Sequence, residues 1–393
     1  MQPMSSTKKW LIFAAIFFVS LNLRPSVTSI GPLVNTIQEE LNVSSTMMSL
    51  LTSIPVFCMG LFAPFAVPMQ KQFGYRTSIN ILMLLIGGAT AARYYFDSFA
   101  ALIITSFLTG FAIAIISPIL NAYIKETFKE KMAPVVGLYS FAIGGGASLS
   151  AGLTGPLYES STNWSYALAI WGALSIFALI TWTLAVEKKV NVVDNVEETH
   201  EEGRNPWKSG LAWIIMLYFG LQTALFFSLT AWLPSMGQER GMSIITAGNV
   251  LTIMSIVQLV GNLTISSLIG KYPNLVAWLF SLIAFGGLGA GILFIDTNWA
   301  IWVGAMMLGA ALSGLFPIGL MLPLQEARNN HEANTWSSMV LSGGFMLSAV
   351  IPLVIGMVYD ATNTHFATKI IFVILFIFMW ISIEFLKRTK KRV

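Results

Sequence analysis

The sequence predicts an all-α membrane protein with twelve transmembrane helices in two halves of six. Of its 393 residues, 55% are hydrophobic and 10% are charged, and the mean hydropathy is +0.73. A soluble domain has about 25% charged residues, so a water-soluble globule is excluded. The apolar residues fall into stretches of the length that crosses a bilayer, which takes about 20 helical residues. The longest charged segment lies near the middle of the chain and separates six stretches from six.

The apolar stretches are separated by charged residues or by Pro, Gly and Asn. Each must be a helix, since backbone groups in lipid have to be paired within the segment. Residues 370–383 are apolar on every face, which is unlike the alternation of a barrel strand. No small-residue cleavage site follows the first stretch, so we expect it to be retained and not removed as a signal peptide. The predicted spans are 10–34, 47–69, 78–96, 99–122, 134–157, 164–186, 210–235, 244–268, 275–294, 299–323, 336–358 and 366–386.

The basic residues predict the orientation of the chain. With the N-terminus in the cytoplasm, 18 of the 22 Lys and Arg residues fall in inner loops or tails. Arg93, Arg240 and Lys369 fall outside, and Arg24 lies within a span. Basic residues accumulate on the cytoplasmic side of membrane proteins, so both termini are predicted to be cytoplasmic. The basic excess thus reflects topology and not a stripe for binding nucleic acid.

Residues 187–209 are predicted to form a cytoplasmic linker between an N-terminal bundle, 1–186, and a C-terminal bundle, 210–393. The segment has six acidic and four basic residues, as expected of a solvated connection. A weak repeat relates the two bundles, because a Gln-Glu pair precedes the serine that starts the second span of each, in QEELNVS (38–44) and QERGMS (238–243). Two halves in the same orientation imply a parallel repeat with a site between them near mid-bilayer.

Arg24 is the candidate anchor for a ligand. No acidic residue lies in a predicted span except Glu384 at an inner end, and the three histidines fall in loops. Arg24 is about 21 Å along its helix from Trp10 at ~1.5 Å per residue, too deep to reach the inner interface easily. A buried guanidinium needs a partner, and its planar donors suit carboxylate-like anions. The alternatives are bonds to backbone carbonyls or hydroxyls, and extension toward the membrane surface.

Several polar residues could line the same cavity. Ser20 and Thr28 stand four residues either side of Arg24 and share its face if the helix is continuous. In the fourth span Asn121 ends a polar series that begins at Thr105 and continues through Thr109 and Ser117. Hydrogen bonds between neighbouring helices are the alternative role for each of these residues.

The seventh span supplies the second set of candidates. Gln222 occupies the first helix of the second half, opposite Arg24 by the repeat, and Phe226 and Phe227 follow it. These two rings and Tyr139 could stack on a planar ligand or on a guanidinium. Core packing is the alternative for the aromatic residues. In the fifth span the glycine-rich run 141–157 is interpreted as a surface for close helix packing and as a hinge.

Four segments resemble the cyanate and 2-nitroimidazole permease family of the major facilitator superfamily. The resemblance covers nearly the whole chain and implies a bacterial inner-membrane permease for a small anionic or planar solute, working by alternating access. It puts Arg24 and Gln222 on the family's first-helix arginine and seventh-helix glutamine. Members often have a glutamine in the eleventh span, and VLSGGF (340–345) has none, so cyanate itself is not assigned. The segments are LNLRPSVTSIGPL (21–33), LLTSIPVFCMG (50–60), FGYR (73–76) and GLQTALFFSLTAWLP (220–234).

We therefore expect a secondary or facilitative transporter and not an enzyme. The sequence has no Walker A loop and no His/Cys cluster at metal spacing in the spans, so neither a cofactor nor a metal is predicted. The expected partners are a small-molecule substrate and the lipid bilayer, with the chain acting as a monomer. Protons as a coupling ion remain open, alongside uniport and exchange. The alternative functions are drug efflux on the same fold and a transporter-like sensor.

Overall fold

A computed structural model describes residues 6–128, 132–187, 204–272 and 274–390. Within these ranges the regular secondary structure is entirely helical, which confirms the all-α prediction. We call residues 6–187 the N-terminal half and residues 204–390 the C-terminal half. The α-helices of the N-terminal half are α1 (Ser6–Leu21), α2 (Pro25–Thr28), α3 (Val34–Leu41), α4 (Ser45–Leu61), α5 (Ala66–Ala92), α6 (Phe99–Thr127), α7 (Met132–Ser161), α8 (Trp164–Ala169) and α9 (Leu174–Ala185).

The C-terminal half is built from longer, less interrupted helices. Its α-helices are α10 (Gly210–Glu239), α11 (Ile244–Lys271), α12 (Leu275–Ile292), α13 (Asn298–Glu326), α14 (Asn330–Ser348), α15 (Val350–Thr362) and α16 (Phe366–Lys390). Short 3-10 turns complete the described secondary structure at Gly31–Leu33, Ala63–Phe65, Ile170–Ala173 and Pro206–Lys208.

Ten helical stretches in the described ranges are long and apolar enough to cross a membrane, and a bent pair raises the number to eleven. The pair joins Ser45–Leu61 to Ala63–Ala92 with a bend of 50°. Within its second member Gly74 has φ 73° and ψ 170°, a conformation that interrupts the helix and favours glycine. Gly74 lies in the predicted inner loop between the second and third spans. The count of twelve remains a prediction, and it requires this pair to be divided at Gly74.

The predicted repeat has a structural counterpart at the start of α4 and α11. Ser44 and Ser243 cap these helices, and each side chain accepts a hydrogen bond from the backbone N–H three residues further on. A left-handed residue precedes each cap, Asn42 at φ 49° and Gly241 at φ 80°. Equivalent helices of the two halves therefore begin with the same turn and cap, which supports a repeat.

The apolar residues form two main cores. One large cluster runs from Ile12 to Val186, and the other runs from Ala212 to Leu386 with Ala151 as its one contribution from the N-terminal half. Separate cores support the predicted bundles 1–186 and 210–393, whose limits remain a proposal. Most of the predicted linker, residues 188–203, lies outside the described residues.

The first span is broken, whereas the sequence predicts one continuous helix over residues 10–34. Helix α1 ends at Leu21, and the next backbone bonds run over three residues instead of four, from Asn22 N to Val19 O and from Leu23 N to Ser20 O. Pro25 then starts α2 without an N–H to donate. Arg24 therefore stands in the interruption between two helices.

The three histidines differ in their placement. His365 lies in the loop before α16, as predicted, whereas His331 lies in the first turn of α14 and His200 is outside the described residues. The His365 ring is buried, with Nε2 at 2.9 Å from the Ser235 hydroxyl. Burial, with a smaller contribution from the charge of Lys369, lowers the pKa of His365 to about 3. His365 is therefore neutral at physiological pH.

Candidate functional site

Arg24 is held at the break by its own backbone. The Arg24 carbonyl accepts hydrogen bonds from the backbone N–H groups of Val27 and Thr28, both at 3.0 Å. The Thr28 hydroxyl donates to the same carbonyl at 3.0 Å. These bonds fix the start of α2 relative to Arg24 and leave the guanidinium free to extend from the chain between the two helices.

The Arg24 guanidinium contacts the C-terminal half through two aromatic rings. Its central carbon lies 5.0 Å from the ring centre of Phe226 and 5.2 Å from that of Phe227. The two rings are roughly perpendicular and stand near the middle of α10. Phe227 also packs against Val56 and Ala349, which belong to opposite halves. Both rings therefore contact the guanidinium and also pack in apolar clusters, between the halves and near the centre of the span.

The Arg24 guanidinium keeps one buried donor without an acceptor among the described residues. The residue is partly exposed, and its Nη1 atom is buried without a hydrogen-bond partner in the described ranges. None of the ion pairs between described residues includes Arg24. A buried donor without an acceptor costs about 1–3 kcal/mol, more when the group is charged. The arrangement leaves a planar cationic donor available to an anion.

Tyr139 and Asn121 lie next to this donor on its predicted cytoplasmic side. The Tyr139 hydroxyl, from the first part of α7, interacts with the side chains of Ser117 and Asn121 of α6 and with the charge of Arg24. Asn121 is exposed, while Ser117 and Tyr139 are partly exposed. These side chains place polar groups beside Arg24, toward the predicted inner ends of α6 and α7.

Gln222 lies one helical turn before Phe226 and therefore on the same face of α10. It is fully buried, and its Nε2 donates to the Thr223 hydroxyl at 2.5 Å. The Gln222 Oε1 atom has no hydrogen-bond partner in the described part of the chain. Gln222 thus supplies a buried acceptor one turn away from the ring that Arg24 contacts.

Ser20 and Thr28 have other partners. The Ser20 hydroxyl donates to the Ile16 carbonyl at 2.6 Å, within its own helix. The Thr28 hydroxyl, besides its bond to Arg24, is hydrogen-bonded to the Ser150 hydroxyl of α7. Because the helix is interrupted between Ser20 and Thr28, a spacing of four does not place them on one face with Arg24. Both hydroxyls stabilise the broken span.

Arg93 is a buried arginine near the outer end of the predicted third span, 78–96. It follows α5 directly and is fully buried, so Arg24 is not the only arginine withdrawn from solvent. Its three nitrogens donate to the Thr105 hydroxyl at 3.2 Å, the Ser26 carbonyl at 3.0 Å and the Ser106 hydroxyl at 3.3 Å. The sequence contains one signal for this contact, since Thr105 begins the polar series of the fourth span and Ser106 follows it directly. Arg93 has protein acceptors for each nitrogen and fixes α2, the helix next to Arg24.

Comparison with known proteins gives one family match and several relatives that are named as transporters. A model of the Major Facilitator Superfamily matches residues 12–349. The uncharacterized transporter YycB of Bacillus subtilis is 29% identical, covering 90% of this chain and 88% of YycB. The cyanate transport protein CynX of Escherichia coli is 28% identical, with 89% and 90% covered. The 2-nitroimidazole transporter of the same organism is 24% identical, with 92% and 91% covered.

Solved structures of low sequence identity share the fold. A bacterial homologue of the human lysosomal transporter Spinster, in an inward-facing and occupied conformation, has a TM-score of 0.75 at 17% identity, covering 99% of this chain and 98% of that one. A point mutant of the nucleoside transporter NupG has a TM-score of 0.75 at 13% identity, with 97% and 99% covered.

The family match, the relatives and the apolar helices indicate the same class of protein. They describe a multi-pass cell-membrane transporter of small solutes, and not an enzyme. The chain belongs to the major facilitator superfamily.

Proposed function

We propose that this transporter moves a small anionic or planar solute, of the cyanate, carboxylate or nitroimidazole kind, by alternating access. The solute binds between the two halves, and Arg24 anchors it. The observation that carries the proposal is the buried Nη1 of Arg24, which has no hydrogen-bond partner and no ion pair in the described ranges. An anion would satisfy this donor with a charge-assisted hydrogen bond.

The surrounding residues support the same class of solute. Phe226 and Phe227 orient the guanidinium and offer an aromatic wall to a planar ligand. Tyr139 and Asn121 supply further polar groups on the inner side, and Gln222 supplies a buried acceptor. We assign Ser20 and Thr28 a supporting role through the broken span. The names of two relatives, a cyanate transport protein and a 2-nitroimidazole transporter, fit small planar solutes.

A ligand screen on the purified protein tests the solute class. We expect cyanate, nitrate, acetate or 2-nitroimidazole to raise the melting temperature above that in chloride of equal ionic strength. A ligand at a hundred times its Kd stabilises a protein by about 2.7 kcal/mol, which such a screen detects. Stabilisation by lipophilic cations alone would contradict the proposal and favour drug efflux.

A further inference from the structure

An acidic side chain of the C-terminal half caps a helix of the N-terminal half. The Asp360 carboxylate, in the last turn of α15, accepts a hydrogen bond from the backbone N–H of Ser45 at 2.7 Å and from that of Thr46 at 2.8 Å. It also accepts one from the Thr46 hydroxyl at 2.6 Å. The first N–H groups of a helix have no acceptor within the helix and carry its positive dipole end. Asp360 therefore accepts hydrogen bonds from the first N–H groups of α4 and places a negative charge at the positive end of its dipole.

The two helices approach closely enough for this contact because of a glycine. Gly356 lies one turn before Asp360 on the same face of α15. A Cβ atom at Gly356 would collide with the Ser49 hydroxyl and come within 2.6 Å of the Ser45 carbonyl oxygen. Any larger residue would hold α15 away from α4. The close approach at Gly356 and the hydrogen bonds of Asp360 are thus parts of the same contact between α15 and α4.

Other polar contacts join the halves at the same level. The Asn35 side chain donates to Gln238 Oε1 at 3.1 Å, and Gln238 Nε2 donates to the Pro32 carbonyl at 2.9 Å. The Ser235 hydroxyl donates to Asn35 Oδ1 at 2.8 Å. All of these residues lie at the ends of helices that the positions of the basic residues predict to be extracellular. The halves are therefore closed against each other on the predicted outer side.

We propose that Asp360 is the latch of an outer gate. While the gate is closed, its carboxylate holds the end of α15 against the start of α4. When the outer side opens, these hydrogen bonds break and both groups become hydrated. The latch rests on the proposed alternating access, but it requires no particular substrate.

The test measures how readily the outer contact opens. Cys58, the single cysteine, is buried, and Cys58→Ala removes it as a labelling site. Ser49→Cys then places a thiol under Gly356, at a position that is 1% exposed. Whole cells that carry this reporter are treated with a membrane-impermeant maleimide. The rate of labelling reports the fraction of time for which α15 is separated from α4.

We expect Asp360→Ala to raise the labelling rate about tenfold, because it removes a charge-assisted contact. Asp360→Asn keeps one acceptor and is expected to give a smaller increase. Asp296→Asn is the matched control, since Asp296 is an exposed acid on the same side that pairs with Arg240 within the C-terminal half. Its labelling rate should equal that of the reporter parent. Asp360 is exposed on a helix surface, so both Asp360 variants are expected to fold, and size-exclusion chromatography checks this.

Equal labelling of the parent, Asp360→Ala and Asp296→Asn would overturn the latch. Labelling of Asp360→Ala only from the cytoplasmic side, in inverted vesicles, would also overturn it. Neither outcome measures anion binding at Arg24, because the compared variants leave Arg24 unchanged and no ligand is added. Failure of the ligand screen with a normal labelling response would instead reject the proposed solute class and leave the latch intact.

Discussion

Arg24→Gln is expected to weaken the binding of a stabilising anion by about a hundredfold or more, since charge-assisted hydrogen bonds contribute roughly 1.5–3 kcal/mol each. Glutamine keeps a polar side chain of intermediate length but has no charge and no stacking guanidinium. The anion affinity of Arg24→Lys should lie between those of the parent and of Arg24→Gln. Lysine keeps the charge but loses the planar donors that lie over Phe226 and Phe227. Titration calorimetry with the strongest anion from the screen measures these affinities.

Arg240→Gln is the control for the loss of an arginine. Arg240 lies beyond the end of α10, pairs with Asp296 and donates to the Leu293 and Thr297 carbonyls within the C-terminal half. Its removal should leave anion affinity unchanged. If Arg24→Gln binds the anion as tightly as the parent does, Arg24 is a packing residue and the solute class has to be reconsidered.

Gly146→Ala is expected to destabilise the protein by about 1–3 kcal/mol, the usual cost of overpacking. A Cβ atom at Gly146 would collide with the Leu21 carbonyl oxygen, at the end of α1, and lie 3.4 Å from the ring of Pro25. The collision involves backbone, which cannot rotate away as a side chain can. Because Leu21 and Pro25 flank Arg24, anion affinity should fall as well. The melting temperature and the calorimetric affinity measure the two effects.

Gly145→Ala provides the matched control in the same turn of α7. A Cβ atom there would meet only Leu21 Cδ1, at 3.8 Å, which is ordinary contact. Alanine has a helix propensity about 1 kcal/mol better than glycine, so this variant should be neutral or slightly stabilising. Equal loss of stability in both variants would show that the glycine run acts as a hinge and not as the close contact described here.

Much of the fold could be predicted from composition and spacing. Apolar length alone located the helices, because lipid requires each crossing to be helical. The Gln-Glu and Ser pattern at 38–44 and 238–243 predicted a repeat, and Ser44 and Ser243 indeed cap α4 and α11. Arg24 stood out because no acid lies near it in the sequence. These predictions depend only on local sequence patterns and on the identification of lipid as the solvent. Both can be obtained from a single sequence.

Features that depend on tertiary contact could not be predicted. The break at residues 22–24 precedes Pro25, but its extent is set by packing against Gly146 and by the bonds of Thr28. The burial of Arg93, at the outer end of the predicted third span, could not be predicted, because its acceptors come from two other helices. The stacking of Arg24 on Phe226 and Phe227 depends on how the two halves are placed relative to each other. The sequence around each of these residues does not specify that placement.

Uptake into liposomes containing the purified protein measures whether Arg24 is required for transport. The assay follows labelled cyanate, acetate and 2-nitroimidazole, and it compares the parent chain with Arg24→Gln at equal reconstitution. We expect saturable uptake of at least one of these solutes by the parent, competition by the unlabelled solute, and loss of this uptake in Arg24→Gln. Uptake at the parental rate by Arg24→Gln, or transport of lipophilic cations alone, would contradict this expectation.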